Sequence, residues 1–180
     1  MNIKPVAINF SANQINDLNY LSFLKNELSV NNINGKFIEI EITESIFLDN
    51  KKEIISFLNK LKKMDIKIAL DDFGTGYSSI SYLTFLPVDK IKLDKSLCDK
   101  FLESKNISIM DNIIALAQSL NLEVLAEGVE RVEQYEKLRV GKCDYIQGYL
   151  FSKPLSIDKI REVKMLDDNR YYFNKDFNDF

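Results

Sequence analysis

Histidine is absent from all 180 residues. That absence removes Ser-His-Asp and Cys-His nucleophile systems, histidine-bound zinc and imidazole general bases. Any hydrolytic chemistry must therefore run on carboxylates, lysine, amides and hard metal ions. Cysteine is nearly as scarce: Cys98 and Cys143 have no metal-type spacing and read as free thiols of a cytoplasmic protein. No apolar run approaches the roughly 20 residues of a membrane span, and the start shows no secretory apolar core. No glycine-rich loop ends in Gly-Lys-Ser/Thr, so a P-loop is excluded. With a net charge of −3 and no long basic run, the footprint of a duplex nucleic-acid binder is missing too. A small phosphate-bearing ligand stays open, because metal ions can meet its charge.

What remains is an ordinary globular composition, 46% hydrophobic and 28% charged, with enough chain for one domain and a sizeable core. Strand-like β-branched runs occur at Val6–Phe10, Phe37–Ile42, Lys67–Leu70, Lys90–Leu93, Glu123–Ala126 and Asp144–Gln147. Between them apolar residues return every three or four positions, as in Ile54–Ile55–Leu58–Leu61 and Ile109–Ile113–Leu116–Ala117–Leu120. Asp49 and Ser108 suit helix starts, and Gly141 suits a turn after a helix over Val132–Val140. Repeated strand–helix alternation predicts a parallel sheet with crossover helices. No linker divides the chain; residues 1–165 read as one domain and 166–180 as an acidic, aromatic tail.

Alternate side chains of a strand face opposite sides, and here the parity carries information. Asn9, Glu41, Asp71, Lys92, Glu127 and Gln147 each lie near the C-terminal end of a strand, opposed to bulky apolar residues. A parallel sheet covered on both faces should be nearly all apolar. In a βα barrel this polar parity faces the interior, and the C-terminal mouth is where active sites are built. Glu41, Asp71, Asp72 and Glu127 clustered there would repel one another unless protonated or bridged by cations. Oxygen-only ligands favour Mg²⁺ or Mn²⁺. Adjacent Asp71 and Asp72 suit a two-ion phosphoryl-transfer site, with Lys92 orienting water or meeting developing negative charge. Taken singly, Glu44 and Glu130 suit the positive ends of following helices, Asp72 a turn, Lys92 solvent and Asn9 a loop anchor. Recurrence at one height on successive strands outweighs those separate readings. Glu39 shares the parity of Glu41 but lies deeper, and is given no role.

At these residues the sequence resembles the EAL domain family. Asn9-Phe10-Ser11, Glu41-Ile42-Thr43-Glu44, Asp71-Asp72-Phe73-Gly74-Thr75-Gly76-Tyr77-Ser78-Ser79, Ile91-Lys92-Leu93-Asp94, Ala126-Glu127-Gly128-Val129-Glu130 and Gln147-Gly148-Tyr149 occur in the family's order and spacing. The resemblance runs from about Pro5 to Pro154, and the Asp71–Leu83 and Ala126–Glu130 runs are its most specific parts. It implies a modified eight-stranded βα barrel of the TIM type and hydrolysis of cyclic di-GMP to linear pGpG with two Mg²⁺ or Mn²⁺ ions. It also implies that Asn9, Glu41 and Asp71 bind the first ion, and Asp71, Asp72 and Glu127 the second. By the same resemblance Glu130 would act through a metal-bound water, Lys92 would hold the nucleophilic water and Glu127 would be a candidate general base. Glu44 would brace the Asp72–Ser79 loop and Gln147 would line the substrate pocket.

One departure stands beside these matches. The family's Glu-Ala-Leu strand precedes the asparagine strand, and here the asparagine strand starts five residues after Met1. At roughly 30 residues per βα unit, about 60–80 residues are expected to be missing. The expected fold is thus an incomplete TIM-like barrel of the EAL type with about six βα units. Its open edges predict a homodimer or a contact with an upstream domain. The alternative to an enzyme is an inactive module that binds cyclic di-GMP or a protein. A phospho-receiver reading, suggested by Asp71-Asp72 and Lys153-Pro154, fails because two strands precede the acidic pair and Asp94 follows it too soon.

Overall fold

Ile40 and Ile42 are fully buried while Glu41 between them is not, and Val124 and Ala126 flank the half-buried Leu125 in the same way, on one sheet that organises the molecule. The computed structural model describes residues 5–11, 14, 17, 19–48, 51–75, 83–102 and 107–161. In chain order the elements are β1 (Val6–Asn9), α1 (Tyr20–Val30), β2 (Ile38–Thr43), α2 (Lys51–Lys62), β3 (Lys67–Phe73) and β4 (Lys90–Leu93). They continue as α3 (Lys95–Leu102), α4 (Ile107–Ser119), β5 (Glu123–Ala126), α5 (Val132–Val140), β6 (Tyr145–Ile146) and α6 (Ile157–Arg161). The strands form one sheet in the order β1-β2-β3-β4-β5-β6, every neighbouring pair parallel. This is an open, incomplete α/β barrel.

One face of the sheet packs against helices. Ile54, Phe57, Leu58 and Leu61 on α2 are buried at helical spacing over Ile40, Ile42, Ile68 and Leu70, which belong to the same core. Basic residues in the last turn of α2, Lys60 and Lys62, suit the negative end of its dipole. At the end of β1, Phe10 stacks on Phe57 with ring centroids 5.2 Å apart and meets Tyr20 edge-on at 5.1 Å. That contact anchors β1 at its C-terminal end, whereas Val6 and Ile8 on the same strand remain 64% and 40% exposed.

The amino ends of the strands are held by a repeated device. Asp89, just before β4, accepts the Ile68 N–H of β3 at 2.9 Å, and Asp144, just before β6, accepts the Val124 N–H of β5 at 2.8 Å. Each carboxylate satisfies a donor that the ladder leaves over. Lys62 and Lys67 pair with Asp89 as well.

Several expectations need correction. On α4 the buried residues are Met110, Ile114 and Ala117, while Ile109 and Leu116 are each 37% exposed. The inward stripe is thus turned by about one residue from the expected one, because this helix is apolar over most of its circumference and periodicity alone does not choose a face. Ser108 lies inside the first turn rather than before it. β3 continues past Leu70 to Phe73, so the acidic pair is within the strand, and β6 contracts to Tyr145–Ile146. Asp49 and the tail 166–180 lie outside the described residues. Cys98 and Cys143 are free thiols, and burial pushes them up to about 12 and about 11 respectively, far from a reactive thiolate. No helix among the described residues is long and apolar enough to cross a membrane.

Candidate active site at the carboxyl ends of the strands

Three strands deliver a carboxylate to one point. Glu41 comes from β2, Asp71 from β3 and Glu127 from the residue following β5, and all three meet the ammonium of Lys92 from β4. Lys92 Nζ lies 2.8 Å from Glu41, 3.0 Å from Asp71 and 3.0 Å from Glu127. Its side chain is only 7% exposed, so the cation is held almost entirely by protein oxygens. An ammonium has three hydrogen-bond donors, and these three acceptors take one each.

The charge balance is lopsided, three carboxylates to one ammonium. Burial alone would lower the Lys92 pKa, but hydrogen bonds to Glu41, Glu127 and Asp71 outweigh it and hold the ammonium well above the usual lysine range. Glu127 is raised above the usual carboxylate range, first by burial and then by Asp71 and Glu41, with Lys92 opposing the shift. Asp72 is raised by partial burial and by neighbouring Asp71 and Asp94.

Local backbone geometry brings the acidic pair to this end. Leu70 aligns with Ile91 but Phe73 with Leu93, so β3 carries an extra residue against β4. Asp72 takes the left-handed conformation, φ 56°, and its N–H donates to Asp71 Oδ1 at 2.9 Å. Asp72 is exposed at the rim rather than in the Lys92 cluster.

The remaining expected site residues fall around this cluster. Asn9 is exposed and in register with Glu41, on the adjacent strand. Glu44, on the turn after β2, accepts the Gly74 N–H at 3.4 Å, at the root of the loop that follows Asp72. Residues 76–82 of that loop lie outside the described set. Glu130 stands on the surface in an ion pair with Lys95 rather than in the cluster. Lys95 comes over Gly128, where a Cβ would lie 2.5 Å from the lysine stem. Gln147 is bracketed against the Glu127 loop: its N–H donates to Ala126 O at 2.8 Å and its carbonyl accepts the Val129 N–H at 3.1 Å. Asp94 has a local role, accepting the Ser96 N–H at 2.8 Å at the start of α3.

The sequence reading passed over one pair. Glu39 and Lys90, each two residues before a member of the cluster, form a buried ion pair one layer below it. The signal was available in the shared parity of Glu39 with Glu41 and of Lys90 with Lys92.

As a donor set the site is all oxygen, anionic in excess and already gathered on a cation, which fits a hard divalent ion. Among the described residues no group of three or more acidic or thiol side chains is gathered so that it could hold a metal ion; Glu41, Asp71 and Glu127 are gathered on the Lys92 ammonium instead.

The EAL domain family model matches residues 1–154. The chain is 37% identical over 158 residues to the cyclic di-GMP phosphodiesterase NbdA of Pseudomonas aeruginosa, a match covering 87% of this chain and 20% of that protein. Among solved structures, the c-di-GMP complex of the PaMucR phosphodiesterase superposes with a TM-score of 0.79 and 32% identity, covering 87% of this chain and 64% of that one. The manganese and cyclic di-GMP complex of Klebsiella pneumoniae BlrP1 gives 0.78 and 30% identity, covering 85% and 40%. The chain spans about a fifth of the length of the curated relatives it matches.

Proposed function

The chain belongs to the EAL domain family, and on that premise we propose that it is a metal-dependent phosphodiesterase that hydrolyses cyclic di-GMP to linear pGpG. The observation that carries this reading is the convergence of Glu41, Asp71 and Glu127 on one buried cation at the carboxyl ends of the strands. Asn9, Glu41 and Asp71 would hold one divalent ion and Asp71, Asp72 and Glu127 a second. Such ions, Mg²⁺ or Mn²⁺, supply positive charge against the phosphoryl oxygens and lower the cost of forming the nucleophile. Glu130 would act through a water.

The chain's own residues account for the remaining work. Lys92 holds the attacking water and meets negative charge that grows on the phosphoryl oxygens. Glu127, whose carboxylate lies 3.0 Å from Lys92 Nζ, would be the group that accepts the proton this water loses. The water oxygen bonds to phosphorus, the bond to the ribose 3′ oxygen breaks, and that oxygen leaves with a proton. The ring opens to a linear dinucleotide bearing a 5′-phosphate. Gln147 would line the nucleotide's seat, and Glu44 would hold the loop after Asp72 through Gly74.

The test is Mg²⁺- or Mn²⁺-dependent formation of pGpG by the purified chain, with nucleotide binding followed separately in Ca²⁺. Asp71→Asn is expected to abolish turnover, by about 10³-fold or more, while leaving the fold unchanged by circular dichroism, because it weakens the ligand shared by both ions. Undiminished turnover by this variant would overturn the two-ion assignment. Binding in Ca²⁺ with no turnover in Mg²⁺ or Mn²⁺ would assign the chain to the non-catalytic binding class instead.

A further inference from the structure

Below the Lys92 cluster, the same face of the sheet carries a second ion pair. Lys90 Nζ donates to both oxygens of Glu39, at 2.8 and 2.6 Å, and the two side chains are only 12% and 8% exposed. The Tyr145 ring centroid lies 5.1 Å from the same ammonium, and the Tyr145 hydroxyl donates to Glu123 at 3.0 Å. The strand register makes this pairing informative. Lys90 is aligned with Ala69, and Ala69 with Glu41, whereas Glu39 is aligned with Lys67 further down the sheet. Two carboxylates are level with Lys90, Glu123 on adjacent β5 and Glu41 across β3, yet Lys90 takes Glu39 on the diagonal, while Glu123 accepts the Tyr145 hydroxyl. Ala69, fully buried on the same face, has no side chain beyond its methyl to stop either lysine from crossing β3. Two strand spacings are about 10 Å between Cα atoms, so a lysine that reaches Glu39 diagonally also reaches Glu41 straight across.

We propose that Glu39 is a positioning residue that sequesters the Lys90 ammonium and so reserves Glu41 for the cations of the site above. The inference rests on the metal-dependent reading of that site. Lys90 has three carboxylates to choose from, Glu39, Glu41 and Glu123, and so three pairings. In one, Lys90 takes Glu41, placing a fixed positive charge beside the ion site and using up one of its ligands. Glu39 removes that option by offering Lys90 both of its oxygens, and the face of Tyr145 holds the ammonium at the lower level. The Lys90–Glu39 pair is then neutral in itself and the cluster above keeps its excess of negative charge.

The experiment titrates Mn²⁺ into the full chain by calorimetry, without nucleotide, using the unsubstituted protein, Glu39→Gln, Lys90→Met and the double variant. Glu39→Gln frees the lysine and is expected to weaken Mn²⁺ binding about tenfold or more. Removing the freed charge in the Glu39→Gln/Lys90→Met double variant should return binding to within about threefold of the unsubstituted chain. Lys90→Met alone sends no ammonium upward and should likewise leave binding within about threefold. If Glu39→Gln fails to fold, loss of Mn²⁺ binding in the Lys90→Met and double variants would still overturn the inference, because a purely structural pair would lose it in both. Unchanged binding in folded Glu39→Gln, or no recovery in the double variant, would overturn the inference alone. No Mn²⁺ binding by the unsubstituted chain would overturn the metal reading and this inference with it.

Discussion

Glu41, Asp71 and Glu127 crowd to one point with the Lys92 ammonium among them, within 3.0 Å of each, and so the lysine has a structural part in the cluster. Replacing it with methionine leaves three largely buried carboxylates with no counter-charge. Breaking a buried pair in this way costs about 3–5 kcal/mol, since the desolvated charges that remain are uncompensated. Lys92→Met is therefore expected to lower unfolding stability by about that amount in metal-free urea denaturation. Added Mn²⁺ should restore part of the loss, and should stabilise Lys92→Met more than the unsubstituted chain. Equal stability of the two proteins without metal would mean that the cluster does not depend on its ammonium. At this scale parity made much of the site legible, because an ionisable side chain on the interior face of a parallel sheet has few bland explanations. Glu39 stands on the interior parity but has no role legible in sequence, for a physical reason: its partner Lys90 lies 51 residues away, and nothing local in the sequence pairs the two charges. Only the register across β2, β3 and β4 shows that they meet.

Single elements are placed by their neighbours as much as by their own composition. β3 is extended through Asp71 and Asp72, poor strand formers, because Phe73 still pairs with Leu93 of β4. Sequence alternation ends that strand at Leu70, and nothing local announces an added residue in the left-handed conformation at Asp72. The inward face of α4 was illegible for the opposite reason, an excess of apolar residues. The loop after β6 shows how closely elements at the mouth are fitted. A Cβ on Gly148 would lie 2.0 Å from the Val129 carbonyl oxygen and 2.3 Å from its nitrogen, so the chain passes directly against the Glu127 loop. Two hydrogen bonds cross the same contact, Val129 N–H to Gln147 O at 3.1 Å and Leu150 N–H to Val129 O at 3.0 Å. Backbone on both sides cannot yield as a side-chain tip would. Gly148→Ala is accordingly expected to cost about 1–3 kcal/mol or more by chemical denaturation. It should also weaken cyclic di-GMP binding in Ca²⁺, since Gln147 shifts with the loop. A fully stable Gly148→Ala chain with unchanged binding would contradict this close fit.

On the scale of the whole molecule the sheet has two ends, and they differ. Among the described residues β6 ends the sheet with a two-residue strand, which offers little to pair with. β1 ends the other side with four residues whose apolar members Val6 and Ile8 are 64% and 40% exposed. α1, the helix that follows it, leaves Phe23 and Val30 exposed as well, seven residues apart and so near one another on the helix surface. A parallel strand with unpaired backbone groups and apolar side chains beside it is a template for another strand. The number of strands, their parallel order and the openness of the barrel were all legible, because each strand is marked by its own β-branched run. How the exposed edge is used was not, since that depends on surfaces rather than on periodicity. The free 180-residue chain is expected to self-associate with increasing concentration in sedimentation velocity. Ile8→Lys puts a charge on that edge without touching the Lys92 cluster, and should weaken the association about tenfold. A monomer at every concentration would show that β1 is protected by something other than a partner. Association indifferent to Ile8→Lys would move the contact to another surface, the Phe23–Val30 stripe of α1 being the next to alter.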